Sequence, residues 1–192
     1  VKVCLKCGAE PPLVSQICHT CVRQSVELST ISKNQSMPCC KSCFSLKTPG
    51  TWVEFDDLDS SVSNFITESI NWNQEVSKPK TKLNLKQLDP QKFRANIACQ
   101  GDYHGIVLKN MIKTEVQVKF QVCQTCSRQA GGYYEAILQI RTKRKSILDE
   151  AVGMVYNQID SAPSEFFTTE SGPVKGGYDF QLSSTEKARS VS

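Results

Sequence analysis

Histidine is nearly absent from this sequence: His19 and His104 are the only two in 192 residues. Neither stands beside an obvious nucleophile, so a hydrolytic triad has no foundation. A catalytic zinc, which keeps an open position and usually takes His or carboxylate ligands, is equally unsupported. There is no G-x-x-x-x-G-K-[ST] loop, so a nucleotide-driven step would have to come from a partner. No apolar run approaches the roughly eighteen residues of a membrane-spanning helix. The opening "VKVCLKCGAE" has neither the apolar stretch of a secretory signal nor an initiator Met, so Val1 is not expected to be the native start.

What the sequence has is cysteine in a pattern. Of ten cysteines, eight form four Cys-x-x-Cys pairs. Two thiolates on one tight turn reach a single ion at about 2.3 Å, which tetrahedral zinc requires and disulfides do not. The expected compartment is reducing: the cytoplasm, or nucleus and cytoplasm in a eukaryote. Cys4, Cys7, Cys18 and Cys21 form one compact set, with ten residues between its two pairs. They predict a structural four-thiolate site in a zinc-ribbon or treble-clef-like unit. Gly8 follows Cys7 where a knuckle turn needs positive φ, and "EPP" (10–12) makes an extended connection.

The other two pairs lie far apart, with 79 residues between Cys43 and Cys123. The economical reading joins Cys40, Cys43, Cys123 and Cys126 in a second Cys4 site, so two zinc ions are expected. The metal would then tie the ends of an insertion together and remove much unfolded-state entropy. The rival is a redox pair at Cys123–Cys126. Such a motif should open a helix after a strand of a βαβ unit, and "SRQAGG" starts helices poorly. Cys39 is a less suitable neighbour of Cys40, and Cys99 reads as a small buried hydrophobe.

Charge is segregated. Residues 1–48 carry six Lys/Arg and two Asp/Glu, 49–77 none and six, 78–128 ten and three, and 129–192 seven and eight. The cysteine-bearing segments are therefore basic, which suits a polyanion such as nucleic acid. The candidate nucleic-acid contacts are Arg23, Lys41, Lys47, Arg128, Arg141, Lys143, Arg144 and Lys145, with Tyr133 and Tyr134 as candidate stacking residues. Trp52 reads most simply as a packing residue.

The fold class expected is α+β. Residues 1–128 make a double zinc-binding region with inserted strands at 49–122, and residues 129–192 begin a second α+β domain. Thr51–Phe55 reads as a strand. Residues 56–77 could form an amphipathic helix through Val62, Phe65, Ile66 and Ile70. Residues 78–90 begin loop-like and then alternate, and 92–98 and 115–122 alternate as strands of a small antiparallel sheet. In the second domain, Tyr133–Arg141 is a strand with Tyr134, Ala136, Leu138 and Ile140 on one face. "SILDEAVGMVYNQI" is a helix capped by Ser146, with Ile147, Leu148, Ala151, Val152, Val155, Tyr156 and Ile159 as its stripe. "EFFTT" and "GGYDFQL" are strands, and "SSTEKARSVS" opens a helix capped by Ser183 that is expected to continue past Ser192.

The ordered segments "CLKCG", "ICHTCVRQSVEL", "CCKSCFSLKTPGTW", "VCQTCSRQAGGYYEAILQIR" and "GGYDFQLSSTEKA" resemble the NMD-three family of archaea and eukaryotes, the large-ribosomal-subunit export adaptors. The resemblance implies two zinc sites at the same eight cysteines and docking on the intersubunit face of the large subunit, against rRNA and ribosomal proteins. It also implies a ribosomal-protein-like domain after the zinc region. The family's translation-factor-like domain, and the eukaryotic tail that engages the nuclear export receptor, lie outside this sequence. No enzymatic activity and no membrane are implied, and a monomer is expected. The first cysteine set alone would also fit a zinc-ribbon nucleic-acid-binding module of a transcription-type factor. The 79-residue insertion and the trailing α+β domain fit that poorly.

Overall fold

The structure is a computed structural model that describes residues 3–10, 12–14 and 16–191. Pro11, the centre of the expected "EPP" connection, lies outside the described residues. The chain divides into two compact units, one through Gln121 and one from Val122 to Ser192. The boundary drawn from sequence at 128/129 falls seven residues later.

The first unit opens with a two-stranded hairpin, β1 (Leu13–Val14) and β2 (Ile17–Cys18), running into helix α1 (His19–Ser25). After β3 (Ser29–Thr30) come β4 (Asn34–Cys40), β5 (Leu46–Thr48), β6 (Thr51–Val53), α2 (Leu58–Glu68) and β7 (Asn71–Trp72). Three long strands follow: β8 (Val76–Asp89), β9 (Lys92–Tyr103) and β10 (Ile106–Gln121). The main sheet has six strands in the order β6-β5-β4-β10-β9-β8. Its inserted part is the expected antiparallel meander, but longer. The His104–Gly105 corner has positive φ at both residues (49° and 85°), the signature of a twist-compatible two-residue hairpin.

Alternation explains the sheet's two faces. Phe93, Ala95, Ile97 and Cys99 of β9 and Ile106, Leu108, Val116 and Val118 of β10 are buried in one core. Helix α2 closes this core with Val62 and Ile66, both fully buried. Asp57 caps that helix by accepting from the Ser60 N–H at 2.7 Å. The helix expected over 56–77 is shorter because Asn71 and Trp72 leave it to pair with Ser29 and Thr30. Strand β8 starts earlier than expected. Lys78 takes φ 52° and Pro79 lacks an N–H, and a register shift between Ser77 and Lys80 absorbs both.

The decisive pairing is parallel. β4 runs alongside β10 from Asn34↔Glu115 to Cys40↔Gln121. The Lys41 N–H extends the ladder to the Gln121 carbonyl at 2.9 Å. Both strands therefore end at the same end of the sheet.

The second unit holds α3 (Gln124–Ala130), β11 (Ala136–Arg141), α4 (Lys145–Asp160), β12 (Thr168–Val174), β13 (Gly177–Leu182) and α5 (Thr185–Val191). Its sheet is antiparallel in the order β11-β13-β12, over a core of Val155, Phe166, Phe180, Leu182 and Ala188. Four expectations shift. Ser146 lies inside α4, which begins at Lys145, and Ile147 is exposed rather than part of the buried stripe. Ser183 is buried, accepting from the Phe167 N–H and donating to the Glu165 carbonyl, so the α5 cap falls to Ser184, whose Oγ accepts from the Lys187 N–H. Tyr134 precedes β11 and is exposed.

Candidate metal centres

The first cysteine group is built from a knuckle, a hairpin and a helix. In the knuckle, the Cys4 N–H donates to the Ala9 carbonyl and the Gly8 N–H to the Cys4 carbonyl, each at 2.8 Å. Gly8 has φ 74°, as the turn requires. The β1–β2 hairpin then delivers Cys18, which is the N-cap of α1, and Cys21 lies in that helix's first turn. The Cys18 N–H donates to Cys4 Sγ at 3.3 Å, and Cys7 and Cys18 sulfurs lie 3.6 Å apart.

The second group repeats the plan. Cys40 N–H donates to Ser45 O at 2.8 Å and Phe44 N–H to Cys40 O at 3.0 Å. Phe44 takes the positive-φ position that Gly8 holds in the first knuckle, at 57°. For a side chain with Cβ that conformation costs about 1–2 kcal/mol, and the Ser61 hydroxyl of α2 helps hold it by donating to the Phe44 carbonyl. The β5–β6 hairpin follows, as β1–β2 follows the first knuckle. The helix arrives only after the insertion. Cys123 is the N-cap of α3 with φ −71° and ψ 163°, against −71° and 157° for Cys18 of α1. The Cys126 N–H donates to Cys123 Sγ at 3.3 Å. The parallel β4–β10 ladder brings Cys40 level with Gln121, two residues before Cys123.

The sequence carries this repeat: "CHTCVRQS" at 18–25 and "CQTCSRQA" at 123–130 match at both cysteines and at Thr, Arg and Gln. This signal marks the two segments as equivalent, and both are short helices, which strand-and-loop reading of the knuckles misses. It also corrects the argument from "SRQAGG", because Cys123 does open a helix directly after a strand. The strand is β10, however, in a ladder with no βαβ crossover to α3. Cys123 and Cys126 also have a second pair of thiols at hand.

Within each group the four Sγ atoms all lie within 4.8 Å of one another. Tetrahedral zinc–thiolate geometry, with bonds of about 2.3 Å, sets sulfurs about 3.8 Å apart, so both donor sets fit a four-thiolate ion. Electrostatics in the first group agree. The Cys18 N–H bonded to Cys4 holds that thiol down at about 6, whereas the contact with Cys7 pushes Cys21 up to about 12. Four adjacent sulfurs cannot all ionise without a cation among them. Neither group includes His19, His104, Cys39 or Cys99. Cys39 faces the core, where burial raises its thiol to about 11, and Cys99 packs in the same core.

The candidate RNA contacts are spread over both units. Arg23 and Arg128 occupy equivalent repeat positions in the last turns of α1 and α3, both exposed. Arg128 lies over the Tyr133 ring at 4.9 Å, and the Tyr133 hydroxyl donates to Glu135 at 2.6 Å. Lys47 lies 5.9 Å from half-buried Trp52. Lys41, Lys143, Arg144 and Lys145 are exposed. Arg141 is already committed to Asp179 and to the Tyr178 carbonyl. The lysines of the meander, which the sequence shows only as a basic segment, are placed on one face by their alternate spacing.

The profile of a family described as "NMD3, N-terminal domain" matches residues 4–131, two thirds of the chain. A search of curated proteins finds no match. The matched span contains all eight cysteines of both groups together with the insertion they bracket. Spacing, duplicated knuckle geometry and profile agree: the chain belongs to the NMD3 family.

Proposed function

We propose that this chain is a non-enzymatic adaptor that binds the large ribosomal subunit during its maturation, and in a eukaryote during nuclear export, through rRNA and ribosomal proteins of the intersubunit face. The observation that carries the reading is the family match across both tetra-cysteine groups. Two zinc ions would occupy those groups, the first held by Cys4, Cys7, Cys18 and Cys21, the second by Cys40, Cys43, Cys123 and Cys126. Their role is to fold short loops that bury little apolar surface unaided. Eight thiolates leave no open coordination position for a reaction. The protein would work as a monomer in the cytoplasm, or between nucleus and cytoplasm in a eukaryote. There the export receptor would engage a tail outside this sequence. Arg23, Lys41, Lys47, Arg128 and Lys143–Lys145 are the first candidates for phosphate contact.

The test is co-sedimentation of the zinc-loaded chain with isolated small and large subunits across a salt series, with zinc counted on the same sample. Selective pelleting with the large subunit that weakens with salt, at about two zinc ions per chain, is the expected result. Equal pelleting with both subunits would remove the adaptor reading.

A further inference from the structure

The face of the β8–β9–β10 meander that points away from the core is a charged surface. In-register rows cross it: Lys80–Gln100–Lys109, Lys82–Ala98–Met111, Asn84–Asn96–Lys113 and Lys86–Arg94–Glu115, with Lys119 further along β10. Alternate residues on one strand stand about 6.7 Å apart and neighbouring strands about 4.8 Å, so the cations form a two-dimensional array. Among the described residues its carboxylates are Asp89 and Asp102, in the rows Asp89–Lys92–Gln117 and Ser77–Asp102–Val107 toward its two ends, and Glu115, which is engaged by Lys92 and Arg94 at 2.8 and 2.7 Å. Lys80, Lys82, Lys86, Lys109, Lys113 and Lys119 have no ion-pair partner among the described residues, and all six are exposed. Between them lies an open groove of about 630 Å³, bounded by Lys80, Lys82, Lys109 and Met111 over Ala98.

Edge protection does not account for the whole array. Lysines on the outermost strand β8 would discourage sheet-to-sheet pairing, as would Lys109 and Lys113 on the stretch of β10 before its pairing with β4 begins at Glu115, but Lys119 stands inside the sheet opposite Pro38 of β4, and Arg94 stands on β9 between β8 and β10. Six unneutralised cations on one face repel one another over a screening length of about 8–10 Å, and a polyanion relieves that.

The composition of the face selects the kind of polyanion. Single-stranded nucleic acid is held by stacking bases on aromatic rings. The aromatic residues of these strands, Phe93, Tyr103 and Phe120, belong to the opposite, core-facing set. The outer face offers ammonium groups, Asn and Gln amides and a shallow groove. We infer that this face binds the phosphate backbone of double-helical RNA, with Lys82, Lys109 and Lys113 at its centre. The inference deepens the adaptor reading and rests on it for the identity of the duplex, an rRNA helix.

The test uses the zinc-loaded full chain, a fluorescent 20-base-pair RNA duplex, a single strand of equal length, and fluorescence anisotropy over a salt series. The variant is Lys82→Gln/Lys109→Gln/Lys113→Gln. The control is Lys6→Gln/Lys33→Gln/Lys175→Gln, three exposed lysines elsewhere. Melting temperature and zinc content confirm that both fold. The duplex is expected to bind more tightly than the single strand. The face variant should weaken duplex binding on the order of tenfold or more and reduce the salt slope by about 3, and the control should do neither. Unchanged duplex affinity in the face variant would overturn the inference. So would equal binding of the single strand, or equally lysine-dependent binding to phosphatidylserine vesicles. Ribosomal co-sedimentation separates the two readings. Large-subunit pelleting that survives in the face variant removes the face and keeps the adaptor. Duplex binding lost in the face variant, by a chain that prefers neither subunit, keeps the face and removes the adaptor.

Discussion

Met37→Ala should loosen the second cysteine group and leave the first intact. Met37 is fully buried in β4, opposite Val118 of β10 and three residues before Cys40. Truncating a buried Met typically costs about 2–5 kcal/mol, a large share of the 5–15 kcal/mol that holds a domain together. The ladder that brings Cys40 level with Gln121 should then open at lower denaturant. Once it opens, the two pairs of the second group must meet across 79 intervening residues, against ten in the first group. Loop closure scales as (3/2)RT ln n, so this ratio costs about 1.8 kcal/mol, roughly a twentyfold weaker hold on the ion. The assay is zinc release to a chromogenic chelator at increasing urea, with a Cys18→Ser chain to identify which phase belongs to which group. In Met37→Ala the second-group phase should move to lower urea while the first-group phase stays. If both phases move together, or both ions leave in one unshifted step, the parallel ladder is not what presents the second group.

Further outcomes follow from other contacts. In Gly177→Ala, a Cβ would lie 1.8 Å from the Ile140 carbonyl oxygen, a backbone atom that cannot step aside. The β11–β13 pairing should open, costing about 1–3 kcal/mol by thermal melting of the second unit. Thr114→Val should cost about 1–3 kcal/mol, because the buried Thr114 hydroxyl donates to Ser32 O at 2.7 Å and accepts from Gln35; an unchanged melt would refute it. Glu115 has its carboxyl lowered by Lys92, then Arg94. Its contribution is therefore present above the ordinary Glu range and lost as pH falls through the lowered value. Glu115→Gln should therefore lower stability near neutrality and flatten the acid limb of a stability–pH curve, the variant and the parent chain converging at low pH. Cys39, raised to about 11 by burial, should resist alkylation at pH 8 in the folded chain and react once urea unfolds it.

The parts of this protein legible in the sequence are those set by local spacing. Four Cys-x-x-Cys pairs announced the two tetra-cysteine groups that the fold assembles, because a knuckle is a local object. Alternation in "KFRANIA" and "EVQVKFQV" announced β9 and β10. What escaped depends on partners distant in the chain. "NQSMPCC" has Pro38 and no strand signature, yet becomes central strand β4. The proline is tolerated because β5 pairs β4 at Cys39 alone. Helices α1 and α3 have seven residues each, too few for an amphipathic period. Only the echo of "CHTCVRQS" in "CQTCSRQA" discloses them. Ser183 failed as a cap because its hydroxyl is claimed inside the fold by Phe167 and Glu165. In sequence the meander's lysines read as a basic segment, and register puts them on one face.

The duplicated knuckle-hairpin-helix plan has a consequence for the newborn chain. Either helix pair could in principle satisfy either knuckle, since the geometries match. Synthesis removes the ambiguity. Cys21 completes the first set before Cys40 has been made, so that set can already be closed around its ion when the third pair appears. Cys40 and Cys43 then wait for 83 more residues to be added before Cys126 arrives, about 4–17 s at ordinary elongation rates. In that interval they lack their partner pair, and sheet formation brings it to them. The order in which the ribosome delivers the cysteines thus sorts two interchangeable halves into the right partnership.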